Sequence, residues 1–247
     1  MILTIDIGNT NVVCSLFEGE QKLDSLRIGS DLNFFSEFSA LKKYDPEGAV
    51  ISSVVPSLTA IYVEACKNLF HCDPLIVDYL TSALRTNVVN PEEIGADRIC
   101  NVIAAINLHG TPGVVVDFGT ATTYDVIDPD GVFIGGAIAP GIDVSARYLF
   151  ESAALLRETA FTIPDSPIGK DTATNLQAGI MFGAIDEVEG MLSRIVKETG
   201  WPKVKVLLTG GFSGMISKEL SVSHTLSPDL TSIGMRLIYE DARSENK

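Results

Sequence analysis

Ile2-Leu3-Thr4-Ile5-Asp6-Ile7-Gly8-Asn9-Thr10 and Val114-Val115-Val116-Asp117-Phe118-Gly119-Thr120-Ala121-Thr122 spell the same pattern twice. Each is an apolar run closed by Asp, one apolar residue and Gly, followed by hydroxyl-bearing or amide side chains. The run is long enough for a buried strand, and Asp-x-Gly marks where such a strand ends and turns. Glycine at the turn lets the backbone approach a ligand, Asn and Thr offer hydrogen bonds, and Asp can hold a cation or a cation-bound water. Two such loops facing each other would clasp a phosphate tail. A lone Asp-x-Gly-x-Thr is also what an ordinary strand-end turn looks like, so the duplication carries the weight.

The surroundings of the two loops repeat as well. In the first half Leu3 to Ile7, Asn11 to Phe17 and Lys22 to Ile28 read as strands, with a tight turn at Glu18-Gly19-Glu20; in the second, Val114 to Phe118, Thr122 to Ile127 and Val132 to Ile138 do, with a hairpin turn at Asp128-Pro129-Asp130-Gly131. Helices and strands then alternate. Leu58, Ile61, Tyr62, Ala65 and Leu69 share a helical face between strand-like Ala49 to Val55 and Leu75 to Val77. Ile185, Val188, Met191, Leu192, Ile195 and Val196 form a second stripe, ended by Gly200 and Pro202, and Val204 to Leu208 follow as a strand into Gly210-Gly211. Both halves thus share a βββαβα-like order. The expected division is residues 1–112 and 113–247, with the seam at the Gly- and Pro-bearing stretch His109 to Gly113, and Ser244 to Lys247 reads as a frayed tail.

A chain of 247 residues holds one large or two medium domains, and the repeat argues for two. Hydrophobic content of 46% with 20% charged residues fits an ordinary globular protein, and no apolar stretch approaches the roughly 20 residues of a spanning helix. Met1 leads straight into a strand without the basic start of a signal peptide, which points to the cytoplasm and away from the membrane. A net charge of −14 argues against nucleic acid as a partner, which requires a basic face. It also means that an anionic ligand must draw positive potential from backbone amides, helix N-termini, Mg²⁺ or a few chosen Arg and Lys. Cys14, Cys66, Cys72 and Cys100 are scattered and fit buried or half-buried thiols rather than a zinc site; His71, His109 and His224 stand apart from one another, without a positioned partner for catalysis. Gly169-Lys170-Asp171-Thr172 is no Walker loop, because Pro164 stands where that loop needs Gly, and no Gly-x-Gly-x-x-Gly follows a strand. Gly210-Gly211 fits either a loop on the adenosine side of a nucleotide or a helix-entry turn, and Trp201 fits a packing residue at a helix end.

The duplicated strand-hairpin halves resemble the superfamily of sugar kinases, heat-shock ATPases and actin. That resemblance implies an α/β fold of two duplicated ribonuclease-H-like domains with mixed sheets, and ATP in an interdomain cleft. A further segment discriminates within it. Asn90-Pro91-Glu92-Glu93-Ile94-Gly95-Ala96-Asp97-Arg98 sets a carboxylate beside a fixed cation at the start of an apolar helical run, where an N-capping Asp with a surface Arg would otherwise suffice as explanation. Asp6-Ile-Gly-Asn-Thr10, Gly95-Ala-Asp-Arg98, Asp117-Phe-Gly-Thr-Ala-Thr-Thr123, Gly135-Gly-Ala-Ile-Ala-Pro-Gly141 and Ile168-Gly-Lys-Asp-Thr172 follow the order of motifs in type III pantothenate kinases, and the resemblance runs from Met1 to about Tyr239.

Members of that family phosphorylate the primary hydroxyl of pantothenate with ATP, the first step of coenzyme A biosynthesis. The resemblance implies that Asp6, Ile7, Gly8, Asn9, Thr10, Asn11, Val12 and Val13 form the first phosphate loop, with Asp6 near the Mg²⁺ that accompanies ATP. It implies that Asp97 is the general base, that Gly95, Ala96 and Arg98 hold pantothenate, that Asp117 binds a monovalent cation, K⁺ or NH₄⁺, and that Thr120 contacts ATP. Thr172 would contact substrate across a homodimer interface. Two residues depart from the pattern. A Tyr that commonly lines the pantothenate pocket is replaced by Val88 or Val89, which alters pocket shape, and Asp171 adds a carboxylate that would weaken anion binding unless Lys170 neutralises it. Members of the family have also been described as accessory factors in bacterial gene regulation; such a protein would keep the Asp-x-Gly loops and lose the acceptor site, whereas this chain retains Asp97 and Arg98.

Overall fold

The computed structural model describes residues 1–30 and 35–244, so the tail read at Glu245 to Lys247 lies outside the described residues. The long apolar runs become the central strands. β1 (Ile2–Ile7), β2 (Asn11–Glu18), β3 (Gln21–Gly29), β4 (Gly48–Ser53) and β5 (Leu75–Ile76) form one five-stranded sheet in the order β3-β2-β1-β4-β5. β1 runs antiparallel to β2 and parallel to β4, so the sheet is mixed. The second sheet repeats this plan with β6 (Gly113–Phe118), β7 (Ala121–Ile127), β8 (Phe133–Pro140), β9 (Lys205–Gly210) and β10 (Thr225–Leu226), ordered β10-β9-β6-β7-β8. β6 is antiparallel to β7 and parallel to β9, as β1 is to its neighbours. The duplication seen in the sequence is therefore a duplication of topology.

Register places the two aspartates identically. Asp6 pairs with Val13 on β2 and Ser52 on β4; Asp117 pairs with Thr123 on β7 and Thr209 on β9. Each Asp is the last residue but one of its strand, and each faces a hydroxyl on the parallel neighbour.

By contacts the chain divides into two units, one of Met1–Gly110, Gly131–Gly135 and the chain from Asp229 onward, the other of Thr111–Asp130 and Gly136–Pro228. In the first unit Leu3, Ile5 and Ile7 alternate onto one face of β1 and pack, with Val12, Cys14 and Leu16 of β2, against Leu58, Tyr62 and Cys66 of α2 (Pro56–Phe70). Phe38 of the short helix α1 (Phe35–Ser39) closes this core edge-on to Tyr62, with ring centroids 5.0 Å apart. The opposite face of the sheet is covered by α3 (Ala96–His109) and α7 (Leu230–Ser244), which contact β4 and each other. Gly234 lets the two helices meet, since a Cβ there would lie 1.9 Å from the Cys100 carbonyl oxygen.

In the second unit α5 (Thr172–Thr199) lays Met181, Ile185, Val188 and Leu192 on Val114, Val116, Tyr124 and Leu208. α4 (Ile142–Ser152) and the short α6 (Ser213–Ile216) add Ile142 and Ile216. α5 begins at a capping box, with Asp171 and Thr174 exchanging hydrogen bonds, and ends at Gly200 in the left-handed conformation. Trp201 packs onto this core from the helix end.

Two details differ from the sequence reading, the edges of the helical stripes and the end of β4, while the cysteines are as expected. Ile61 is 37% exposed and Val196 38% exposed, because each sits at the edge of its stripe. β4 stops at Ser53: Val55 has left the ladder to cap α2, whose first turn opens with Pro56. Three of the four cysteines are buried and Cys72 is half-buried, all as free thiols.

Candidate active site

In the first unit the β1–β2 loop is held tightly. The Gly8 N–H donates to the Asn11 carbonyl at 3.0 Å, and Ser30, at the end of β3, donates its hydroxyl to the Gly8 carbonyl at 2.7 Å and its N–H to the Thr10 carbonyl at 3.1 Å. Asn9 and Thr10 stay exposed at the tip. Preorganised backbone of this kind can meet phosphate oxygens without first paying an ordering cost. At its base the Ser52 hydroxyl donates to Asp6 Oδ1 at 2.9 Å.

The acceptor motif enters from the other side of β4. A one-turn 3₁₀ segment at Pro91–Glu93 leads to Gly95, which precedes the first turn of α3. A Cβ at Gly95 would sit 2.6 Å from Asp97 Oδ1, so a larger residue there would push the carboxylate out of this position. Asp97 Oδ1 accepts from the Arg98 backbone N–H at 2.8 Å. Part of the carboxylate reaches solvent while protein fills most of the space around it, and this burial raises its pKa; the Arg98 N–H and the Arg98 charge pull the other way and lose. A carboxylate poised in this direction is a better proton acceptor than a solvated Asp. The Cys100 thiol, one turn along α3, is buried beside Asp6, Asp97 and Ser52; burial and then the two carboxylates push its pKa up, against the Ser52 hydroxyl. Asp6 and Asp97 thus belong to one neighbourhood.

Arg98 is placed by an aromatic ring, its guanidinium carbon 5.4 Å from the centroid of Phe133. Phe133 is itself fixed to the segment before the acceptor motif: its N–H donates to the Arg85 carbonyl, and its carbonyl accepts from the Asn87 N–H and the Thr86 hydroxyl. That segment carries the two valines at the expected Tyr position. Val89 is 95% exposed, whereas Val88 is half-buried and adjacent to Gly135, so Val88 is the one that can shape a pocket.

In the second unit the β6–β7 loop has the same build. The Gly119 N–H donates to the Ala121 carbonyl at 3.1 Å, and Gly119 and Thr120 are exposed. Gly141 supports them from below: its N–H donates to the Thr120 carbonyl at 3.1 Å, and a Cβ would come within 2.5 Å of both loop carbonyls. Gly210 and Gly211 run beside the same loop before α6, with a Cβ at Gly210 only 2.4 Å from Asp117 Oδ1 and the Gly211 N–H bonded to the Phe118 carbonyl. They form a helix-entry turn that packs closely against the Asp117 carboxylate. Thr123, directly across the ladder from Asp117, buries a hydroxyl oxygen that has no hydrogen-bond partner among the described residues.

Thr172 is exposed at the start of α5. Asp171 beside it is engaged in capping: its Oδ1 accepts from the Thr174 N–H at 2.8 Å and the Thr174 hydroxyl at 2.9 Å, which hold its pKa below the ordinary value. Its charge is spent on the helix N-terminus, without any need for Lys170.

Sequence reasoning missed Ser30, Ser52 and Phe133. Each acts through a partner far away in the chain, and none lies in a recognisable motif.

The two duplicated α/β units have the fold class expected from the sequence, that of the sugar kinases and actin-like ATPases. Comparison with known proteins narrows it. Residues 2–194 match the family model of type III pantothenate kinase. The chain is 39% identical over its whole length to the type III pantothenate kinase of Agathobacter rectalis, covering 98% of that protein, and 41% identical to that of Roseiflexus sp. strain RS-1, covering 99% of this chain and all of that one. It belongs to the type III pantothenate kinase family. Among solved structures it is similar to a Campylobacter jejuni protein named for the Baf family of transcriptional activators, with a TM-score of 0.65, 20% identity and coverage of 98% and 99% of the two chains. It is also similar to component A of (R)-2-hydroxyglutaryl-CoA dehydratase from Acidaminococcus fermentans, with a TM-score of 0.56, 16% identity and 98% of each chain covered. These two likenesses are of fold alone.

Proposed function

We propose the following division of labour for the reaction that membership of this family assigns, ATP-dependent phosphorylation of pantothenate in coenzyme A biosynthesis. Asp97 accepts the proton of the attacking hydroxyl. Its place in the first turn of α3 next to Arg98, with burial raising its pKa, is the observation that carries the reading. Arg98, steadied by Phe133, takes the pantothenate carboxylate, while the Gly95 and Ala96 backbone and Val88 shape the pocket around the acceptor. The Asp6 to Val13 loop and Thr120 bind ATP through backbone amides and hydroxyls. Phosphoryl transfer needs positioning and charge neutralisation more than a strong base, and this chain supplies both from fixed backbone.

The residues suit the expected ions. Among the described residues no three His, Cys, Asp or Glu side chains cluster as a metal cage, so Mg²⁺ held by Asp6 would take its other ligands from phosphate and water, as Mg²⁺ prefers. Mg²⁺ supplies charge neutralisation on the phosphates. Asp117 with the unpartnered Thr123 hydroxyl offers hard oxygens to K⁺ or NH₄⁺. Thr172 serves the acceptor site of a second copy in a homodimer. The outward apolar residues Val144, Tyr148 and Leu149 of α4, with Leu155 and Ile168 beyond it, support such a partner. No helix among the described residues is long and apolar enough to cross a membrane, and the free thiols suit a cytoplasmic location.

The test is ADP release from ATP in K⁺ buffer with and without pantothenate. Release that rises steeply with pantothenate is expected; ATP turnover indifferent to it would overturn the assignment.

A further inference from the structure

The turn of α3 that follows the acceptor motif is fastened to another helix. Asn101 lies four residues beyond Asp97 and three beyond Arg98, one turn along from both. The other buried residues of α3 are apolar or a thiol, and Asn101, at 0% exposure, alone among them carries an amide. Its Oδ1 accepts the Thr231 hydroxyl at 2.8 Å, and Thr231 belongs to the first turn of α7. Three residues further along α7 is Gly234, where a Cβ would lie 1.9 Å from the Cys100 carbonyl oxygen, so the two backbones meet beside this bond. α7 is itself tied to the sheet where it begins, Lys22 of β3 pairing with Asp229. Apolar side chains in a helix seam can slide past one another cheaply, because burial has no direction. A hydrogen bond does have one, and a single buried amide is a known device for fixing the register of packed helices. Sliding α3 along α7 would break the Asn101–Thr231 bond at a cost that apolar contacts do not impose.

We propose that Asn101 and Thr231 are positioning residues for the acceptor site: their hydrogen bond sets the register of α3 on α7, and with it the place of Asp97 and Arg98 in the preceding turn. The proposal rests on the roles of Asp97 and Arg98 stated above. It predicts a cost in chemistry out of proportion to the cost in folding, because misplacing a reacting group by about 1 Å can lower turnover about a hundredfold. Nucleotide binding, which falls to loops on other elements, does not share that cost.

The experiment measures kcat, KM for pantothenate, ADP affinity by calorimetry and Tm for the wild-type protein, Thr231→Val, Thr231→Ser and Ile238→Val. Thr231→Val keeps the shape of the side chain and removes the hydroxyl, whereas Thr231→Ser keeps the hydroxyl. Ile238 is buried two turns further along the same face of α7, and trimming it by one methyl loosens the helix without touching a hydrogen bond. Thr231→Val is expected to lower kcat by about ten- to hundredfold and to raise KM for pantothenate, with ADP affinity unchanged. Thr231→Ser should recover most of the loss, and Ile238→Val should hold kcat within about threefold of wild type even where its Tm falls as far. A kcat within about threefold of wild type in Thr231→Val, an equal loss in Ile238→Val, or Thr231→Ser no better than Thr231→Val overturns the proposal. If Thr231→Val does not fold, Thr231→Cys, similar in size and only a weak donor, takes its place under the same criteria. Pantothenate-dependent turnover in the wild-type protein together with undiminished kcat in Thr231→Val overturns this proposal alone; wild-type ATP turnover indifferent to pantothenate overturns the functional reading and the proposal with it.

Discussion

Replacing Asp97 by Asn separates catalysis from folding. Asn keeps the size of the side chain and an Oδ1 that still accepts the Arg98 N–H now seen at 2.8 Å, so the first turn of α3 is preserved. It loses the capacity to take a proton. Loss of a general base costs about 10² to 10⁴-fold, roughly 2.7 to 5.5 kcal/mol of barrier, and kcat should fall by that amount at saturating substrates. Stability should move the other way. Burial raises the folded pKa of Asp97 above the ordinary 3.8, so between 3.8 and that raised value the folded state binds more protons than the unfolded one and stability drops as pH rises. Above the window the full cost of the buried charge is present. Asn removes that cost and forfeits the attraction of a negative charge to the Arg98 guanidinium and to the helix N-terminus, the latter about 0.3 to 1 kcal/mol; burial already outweighs these attractions. The variant should therefore keep a Tm at least equal to wild type at pH 7, keep its affinity for ADP, and lack the acid limb of the wild-type kcat profile. A coupled ADP assay and thermal denaturation read both halves. A kcat within tenfold of wild type would refute Asp97 as the base, and a lower Tm would refute the burial argument.

Three further outcomes are expected. Exchanging K⁺ for Na⁺ at fixed ionic strength should slow turnover markedly, and Thr123→Val should abolish this preference without lowering Tm, because that hydroxyl has no protein partner to lose; equal rates of the wild-type protein in both salts would count against the cation site. Phe133→Leu should raise KM for pantothenate by about two- to thirtyfold, the range of a cation–π contact, with KM for ATP unchanged; equal effects on both substrates would point to general loosening instead. Inactive Asp97→Asn and inactive Thr172→Ala chains, mixed equally and allowed to exchange, should regain roughly a quarter of wild-type activity, since half the two-fold dimers are hybrids with one intact site. No recovery in verified hybrids would place Thr172 within its own chain's site.

The strands and loops were legible because apolar runs ending in Asp-x-Gly leave few alternatives, and the repeat cross-checked each half against the other. The hydroxyl behind Asp6 was not. Ser52 is 46 residues from Asp6 and becomes its partner only through the parallel register of β1 and β4, which sequence does not display. Phe133 is likewise joined to Arg98 only once the chain has returned past residues 85–87. The last helix shows an apolar stripe, with Leu230, Met235 and Ile238 buried, yet nothing in that stripe says that it rejoins the first unit against α3; that choice depends on the close approach Gly234 permits. Asp171 is a different case. Asp followed by Thr three residues later, ahead of a helix, is a legible N-cap, and attending to charge alone made it look like an obstacle to anion binding.

The most direct test identifies the product. ATP, Mg²⁺ and pantothenate incubated with the protein in K⁺ buffer and followed by phosphorus NMR and mass spectrometry should yield ADP and, in equal amount, a phosphate monoester on the primary hydroxyl of pantothenate, with Asp97→Asn forming almost none. ADP accompanied only by inorganic phosphate, or a phosphate ester at another hydroxyl, would contradict the account.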